Sequence, residues 1–170
     1  WYPARDLCDA TTCTLDTSGV TFPPGDYEWW MQAWGPGDYD KWLVNGALAF
    51  TIIETIPATA TDDALSVANG GNNSANILAN DAGTPPLQVT TFGDSVANVG
   101  TTPADGATIL SIAAGGGTLD ITITATGDLN VTSNGTTGSG TVSIFYQMTA
   151  DNGATNDIGQ VDITYGDFPI

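Results

Sequence analysis

The stretch Ile109-Leu110-Ser111-Ile112-Ala113-Ala114-Gly115-Gly116-Gly117-Thr118-Leu119-Asp120-Ile121-Thr122-Ile123-Thr124 decides the fold class. Its apolar residues alternate with small or polar ones, the period-2 pattern of a strand with one face in a core. The glycine triplet between its halves supplies the backbone freedom of a tight turn. It reads as two strands, 107–113 and 118–124, joined by that turn. The same pattern recurs at 64–68, 75–78, 87–92, 129–132, 141–148 and 158–165. Between these runs lie turn clusters such as Asn69-Gly70-Gly71-Asn72-Asn73, Thr126-Gly127-Asp128 and Asp151-Asn152-Gly153. Eight short candidate strands in this region predict an antiparallel, Ig-like β-sandwich over 62–170. No segment combines helix caps with a 3.6-residue apolar stripe; only Ala75-Asn76-Ile77-Leu78 suggests a single helical turn.

Composition shifts near position 55. All five Trp, both Cys and both basic residues (Arg5 and Lys41) precede it. Thr55-Ile56-Pro57-Ala58-Thr59-Ala60-Thr61 follows as a Pro/Thr-rich segment, and 56–61 reads as an extended linker. Upstream, strands are expected near 1–4, 13–15, 20–22, 27–34 and 47–53. In Tyr27-Glu28-Trp29-Trp30-Met31-Gln32-Ala33-Trp34, alternation puts Trp29 and Trp30 on opposite faces. A segment of this size is too short for a sandwich of its own, so 1–55 reads as half of a domain.

Nineteen acidic residues face two basic ones, a net charge of −17. Phosphate backbones and anionic membranes attract Lys and Arg, so partners of those classes are excluded. No apolar run nears the roughly 20 residues of a membrane span, and no signal-peptide pattern opens the sequence. Asp greatly outnumbers Glu, and Asp with Gly, Asn and Thr forms the turn-rich surface expected of a secreted β-protein. Cys8 and Cys13 suit a local disulfide across a turn, which points outside the cytoplasm. Two free thiols or half of a metal site are the alternatives, and without His or further Cys a zinc site lacks ligands.

No catalytic set emerges. There is no His, no Cys–His arrangement, and the acids lie in turn contexts rather than around a cleft, so no enzyme is expected. Calcium is the candidate ligand. Asp62 and Asp63 leave the linker, and Asn80-Asp81 and Asp151-Asn152-Gly153 are loops of the same domain. Together they offer the hard oxygens Ca²⁺ takes. Asn80-Asp81 and Asp151 serve equally as ordinary Asx turns. The tryptophans Trp29, Trp30, Trp34 and Trp42 suit stacking on sugars or packing of a module interface. Asn72, Asn130 and Asn134 open Asn-x-Ser/Thr sequons, where glycosylation is a further expectation.

Two resemblances add to this reading. Trp1-Tyr2, Cys8 and Cys13, Gly25-Asp26-Tyr27-Glu28-Trp29-Trp30-Met31-Gln32-Ala33-Trp34, Trp42 and Ala49-Phe50-Thr51-Ile52 resemble the C-terminal half of a fibronectin type III-like module of bacterial secreted proteins. The resemblance implies that the early strands of that module are missing from this sequence. Ala60-Thr61-Asp62-Asp63, Ile77-Leu78-Ala79-Asn80-Asp81, Phe145-Tyr146-Gln147-Met148-Thr149-Ala150-Asp151-Asn152-Gly153 and Val161-Asp162-Ile163-Thr164 are similar to bacterial cadherin-like tandem domains of large adhesins. That similarity implies a cell-surface location, and Ca²⁺ at domain junctions.

The reading that follows is an extracellular, non-enzymatic structural or adhesive protein. It assembles into head-to-tail fibres when one copy adds a strand to the unfinished sheet of the next. Interface residues are then Tyr27, Trp29, Trp30, Trp34 and Trp42 on the acceptor side. The run 159–170, ending Phe168-Pro169-Ile170, is the candidate donor. An excised adhesin fragment and a glycan-binding accessory module of a secreted enzyme are the alternatives.

Overall fold

A computed structural model describes residues 21–29, 32–35, 38–42 and 48–168 of the chain. In chain order its strands are β1 (Gly25–Trp29), β2 (Gln32–Gly35), β3 (Asp38–Trp42), β4 (Leu48–Ile52), β5 (Asp63–Ala68), β6 (Asn72–Asn76), β7 (Gln88–Gly93), β8 (Thr102–Pro103), β9 (Leu110–Ala114), β10 (Gly117–Ile123), β11 (Asp128–Asn134), β12 (Gly140–Ala150) and β13 (Thr155–Gly166). The described residues contain two short 3-10 turns and no α-helix. The protein is all-β, as the alternation predicts. The chain divides into two units, Trp1–Glu54 and Thr55–Ile170.

The second unit is a β-sandwich. One sheet runs β6-β11-β10-β9 and the other β5-β13-β12-β7-β8. Alternation sorts the side chains: Leu119, Ile121 and Ile123 of β10 and Leu129 and Val131 of β11 point inward, against Ile144, Tyr146 and Met148 of β12 and Val161 and Ile163 of β13. Burying each large apolar side chain contributes roughly 1.5–3 kcal/mol, which is what holds two sheets with polar outer faces together. The β9–β10 hairpin closes through Gly115 and Gly116, both at positive φ. A Cβ on Gly115 would also meet the Thr137 carbonyl and the Tyr165 ring, so this turn demands glycine twice over.

Four features differ from the sequence reading. First, β5 pairs with β13 in parallel, Asp63 beside Val161 through Ala68 beside Gly166, so the sandwich is not purely antiparallel. Alternation fixes which face a strand buries but carries no information on direction. Second, 56–61 is not a free tether. Ala58 is buried, its N–H donates to Thr155 Oγ1 at 2.9 Å, and Thr59 bridges Ala82. Third, the segment expected as a strand at 75–78 forms the strand β6 over Asn72–Asn76 and then turns. These are poor strand formers by propensity, but β11 supplies their ladder, and Ile77 plugs the core from the turn that follows. Fourth, the run proposed as a strand donor is β13 itself. Its stretch Val161–Tyr165 is paired on one side with β12 and on the other with β5, so it has no free edge to give.

In the first unit, the expected single strand 27–34 is two elements. β1 pairs with β4, Tyr27 opposite Phe50, and β2 pairs with β3, Gln32 opposite Trp42. The strand over Asp38–Trp42 has no apolar alternation in its sequence, which is why it was not expected.

Candidate functional site

Two of the acids expected to gather, Asp63 and Asp81, meet at one end of the sandwich around the hydroxyl of Tyr146. That side chain is fully buried on β12 and reaches out between the sheets. Its oxygen lies 2.9 Å from Asp81 Oδ2, 3.2 Å from the Ile77 carbonyl and 3.4 Å from Asp63 Oδ2. The phenol has one proton, and the short contact makes Asp81 its acceptor. Gly159 on β13 makes room: a Cβ there would collide with the Tyr146 ring.

The surrounding carboxylates are occupied by backbone amides. Asp81 Oδ1 accepts the Thr61 N–H at 2.7 Å. Asp157 takes the Ala60 and Ile158 N–H groups, each at 2.9 Å. Asp62 Oδ1 accepts the Gln160 N–H at 3.1 Å, and Asn80 Nδ2 donates to the Thr61 carbonyl at 3.3 Å. Together these bonds fasten the segment 58–63 to the loop 77–82 and to β13. Burial pushes the Asp63 carboxyl up to about 6, and the neighbouring Asp81 charge adds to the rise. Asp81 is raised too, by burial first, against the hydrogen bonds from Thr61 and Tyr146. Burial and the two carboxylates keep the Tyr146 phenol protonated, well above its usual range.

Of the residues expected to bind calcium, four lie close together here. Asp62, Asp63, Asn80 and Asp81 are brought together; Asp62 and Asp81 each accept a backbone N–H, whereas Asp63 has only the 3.4 Å contact with the Tyr146 hydroxyl. The Asp151 N–H donates to the Thr84 carbonyl at 2.7 Å, and its φ is 51°. Among the described residues no three acidic side chains are grouped to hold a cation. Tyr146 and Asp157, which complete the cluster, were not singled out in the sequence. Tyr146 reads there as one more inward position of an alternating strand, and Asp157 lies far from its partners in the chain.

The second candidate is the β1/β4 ribbon. Phe22, Tyr27 and Phe50 form an aromatic trio, with Tyr27 and Phe50 stacked at 5.5 Å and Phe22 edge-on to both. Phe50 remains 38% exposed. Tyr27 donates to the Pro23 carbonyl at 2.6 Å and Thr51 to Asp26 at 2.7 Å, so the ribbon is stitched from its own residues. Trp29, Trp34 and Trp42 fall on β1, β2 and β3, and Phe168 is 42% exposed just beyond β13. Cys8, Cys13, Trp30 and Ile170 lie outside the described residues. The sequon residues Asn72, Asn130 and Asn134 are exposed on the outer face of the β6-β11-β10-β9 sheet, where Asn134 donates to Asp120 at 2.7 Å.

No protein-family model and no curated protein matches the chain. Among solved structures it is similar to a nucleoside hydrolase-related hypothetical protein from Saccharophagus degradans that is associated with carbohydrate metabolism. The likeness has a TM-score of 0.41 at 11% identity and covers 67% of this chain and 26% of that one.

Proposed function

We propose that the chain is a non-enzymatic structural module of an extracellular, self-associating surface assembly, joined copy to copy by strand addition at its first unit. The observation that supports this most is the β1/β4 ribbon. Two-stranded ribbons are marginal alone in water, and a third strand is the usual remedy. Among the described residues neither β1 nor β4 has a second partner strand. The ribbon also carries a partly exposed aromatic trio, which an added strand would cover. The donor is a segment other than β13, because β13 is paired on both sides. A surface of Asp, Asn, Thr and Gly with few cations suits an extracellular setting. The resemblance to adhesin domains points the same way.

Negative-stain microscopy of the full chain over a concentration series tests the proposal. Filaments or short oligomer chains are expected. They should be lost in Phe50→Asp, which places a charge on the trio but leaves the second unit's melting unchanged. Only discrete particles at every concentration would overturn it.

A further inference from the structure

Within the second unit the sequence places glycine directly after asparagine at Asn69-Gly70, Asn134-Gly135 and Asn152-Gly153. In such a pair the backbone nitrogen of the glycine can swing round to the side-chain carbonyl carbon of the asparagine, because glycine has no Cβ to oppose the rotation. Attack there closes a succinimide ring and expels ammonia. By sequence the three pairs are equivalent. Their surroundings are not.

Asn69 is clamped at both reacting groups. Its Nδ2 donates to the Gly138 carbonyl at 2.8 Å and to Asp167 at 3.1 Å, and its Oδ1 accepts the Thr136 hydroxyl at 2.8 Å. The Gly70 N–H, which would be the nucleophile, donates to Ser133 Oγ at 3.1 Å. Asn134 ends β11 opposite Thr118 of β10, and its Nδ2 donates to Asp120 at 2.7 Å. Ring closure at either pair must first break these bonds. Asn152 differs. It is exposed in the loop 151–154 between β12 and β13, and among the described residues no group bonds to its side chain. Asp151 and Asn152 both stand at positive φ, at 51° and 54°, a region that side-chain-bearing residues adopt at a cost. Leaving that conformation, with its ψ of 33°, undoes no strand ladder.

We propose that Asn152-Gly153 is a self-modification site, the one of these three pairs at which the folded sandwich loses ammonia. The Gly153 nitrogen forms a bond to Asn152 Cγ, the bond from Cγ to the side-chain nitrogen breaks, and the proton of the Gly153 N–H leaves with that nitrogen as ammonia. Water then opens the succinimide. Opening at Cγ gives aspartate, and opening at the main-chain carbonyl gives isoaspartate, with an added methylene in the main chain. Either product sets a new carboxylate beside Asp151. The Asp151 N–H is bonded to Thr84, and Thr84 to Ile56, so the change falls next to the segment that enters the sandwich. An aged molecule therefore differs from a new one in charge and in loop length at this hairpin, while Asn69 and Asn134 stay asparagine. The site is independent of strand addition at β1/β4.

Ageing of the full chain tests it. The protein is held folded at mildly alkaline pH, sampled over weeks, digested and mapped by mass spectrometry, which reads the exchange of NH2 for OH at each asparagine. Conversion at Asn152 is expected to run about tenfold or more ahead of conversion at Asn69 and Asn134, since several hydrogen bonds must open first at those two. The converted peptide should elute as two species, aspartate and isoaspartate. A second sample aged in denaturing urea removes the fold, and there the three pairs are expected to convert at similar rates. Conversion at Asn152 in the folded chain no faster than at Asn69 or Asn134 overturns the proposal. A lead for Asn152 that persists unchanged in urea overturns it as well, because the preference would then belong to the local sequence and not to the fold. Asn45-Gly46 lies outside the described residues, and the mapping reads it as a separate peptide.

Discussion

Tyr146 has one hydroxyl proton and four oxygens within 3.5 Å. Such crowding is tolerable only because Asp81 accepts the proton, while the Asp63 carboxylate beside it is left without a strong donor. The Asp63 carboxyl is held at about 6 rather than 3.8, by burial first and then by the Asp81 charge. The native state then binds a proton that the unfolded chain gives up between those values. Stability from this group is fully present below about pH 4 and is lost as pH rises through about 6. We expect Asp63→Asn to melt higher than the parent at pH 7, by about 1 kcal/mol once solvent screening of this half-exposed group is allowed for. The gain should vanish at pH 4. Calorimetry at the two pH values checks it, and parallel curves for the two proteins would dismiss the argument. Asp105, Asp128 and Asp162 have the opposite sign: hydrogen-bonded at the surface of the sandwich, they are held below their usual range, the first by the N–H groups of Thr108 and Ala107.

At the scale of elements, the segment 55–61 gives the clearest divergence between sequence and structure. It reads as a linker because Pro57 and the threonines carry no alternation. Yet its hydrogen-bond partners, Thr155 and Asp157, lie 97 residues away, and no local pattern announces them. We expect the amides of Ala58, Thr59, Ala60 and Thr61 to exchange with solvent as slowly as those of the β5–β13 ladder, whereas Ile53 and Glu54 exchange fast. Hydrogen exchange resolved by residue decides this; fast exchange throughout 53–61 would restore the linker. The strands of the sandwich were legible for the converse reason: Leu119-Asp120-Ile121-Thr122-Ile123 shows its buried face in its own sequence. The parallel β5–β13 pairing was not legible, because strand direction depends on partners distant in the chain. The candidate sites divide the same way. Asp62, Asp63, Asn80 and Asp81 were legible as polar loop residues, but whether their oxygens face a cavity or a backbone amide is decided by Tyr146 and Asp157.

For the whole molecule, charge sets the terms of association. Nineteen acids against two bases make any contact between copies a contact between polyanions. Exposed charges repel over a screening length of about 10 Å at 0.1 M salt and about 3 Å at 1 M. Raising ionic strength should therefore strengthen self-association, with light scattering rising from low to high salt at fixed protein concentration. A fall instead would mean that attraction between charges, not strand pairing, holds the copies together. The β5–β13 pair carries a further consequence, a mechanical one. Because the two strands run the same way, the start of β5 at Asp63 and the end of β13 at Gly166 lie at opposite ends of one ladder. A pull between those points loads its hydrogen bonds in shear, all together, rather than unzipping them one at a time. In a tethered array this pair is the fastening that would bear tension, and the sandwich would yield abruptly when it parts.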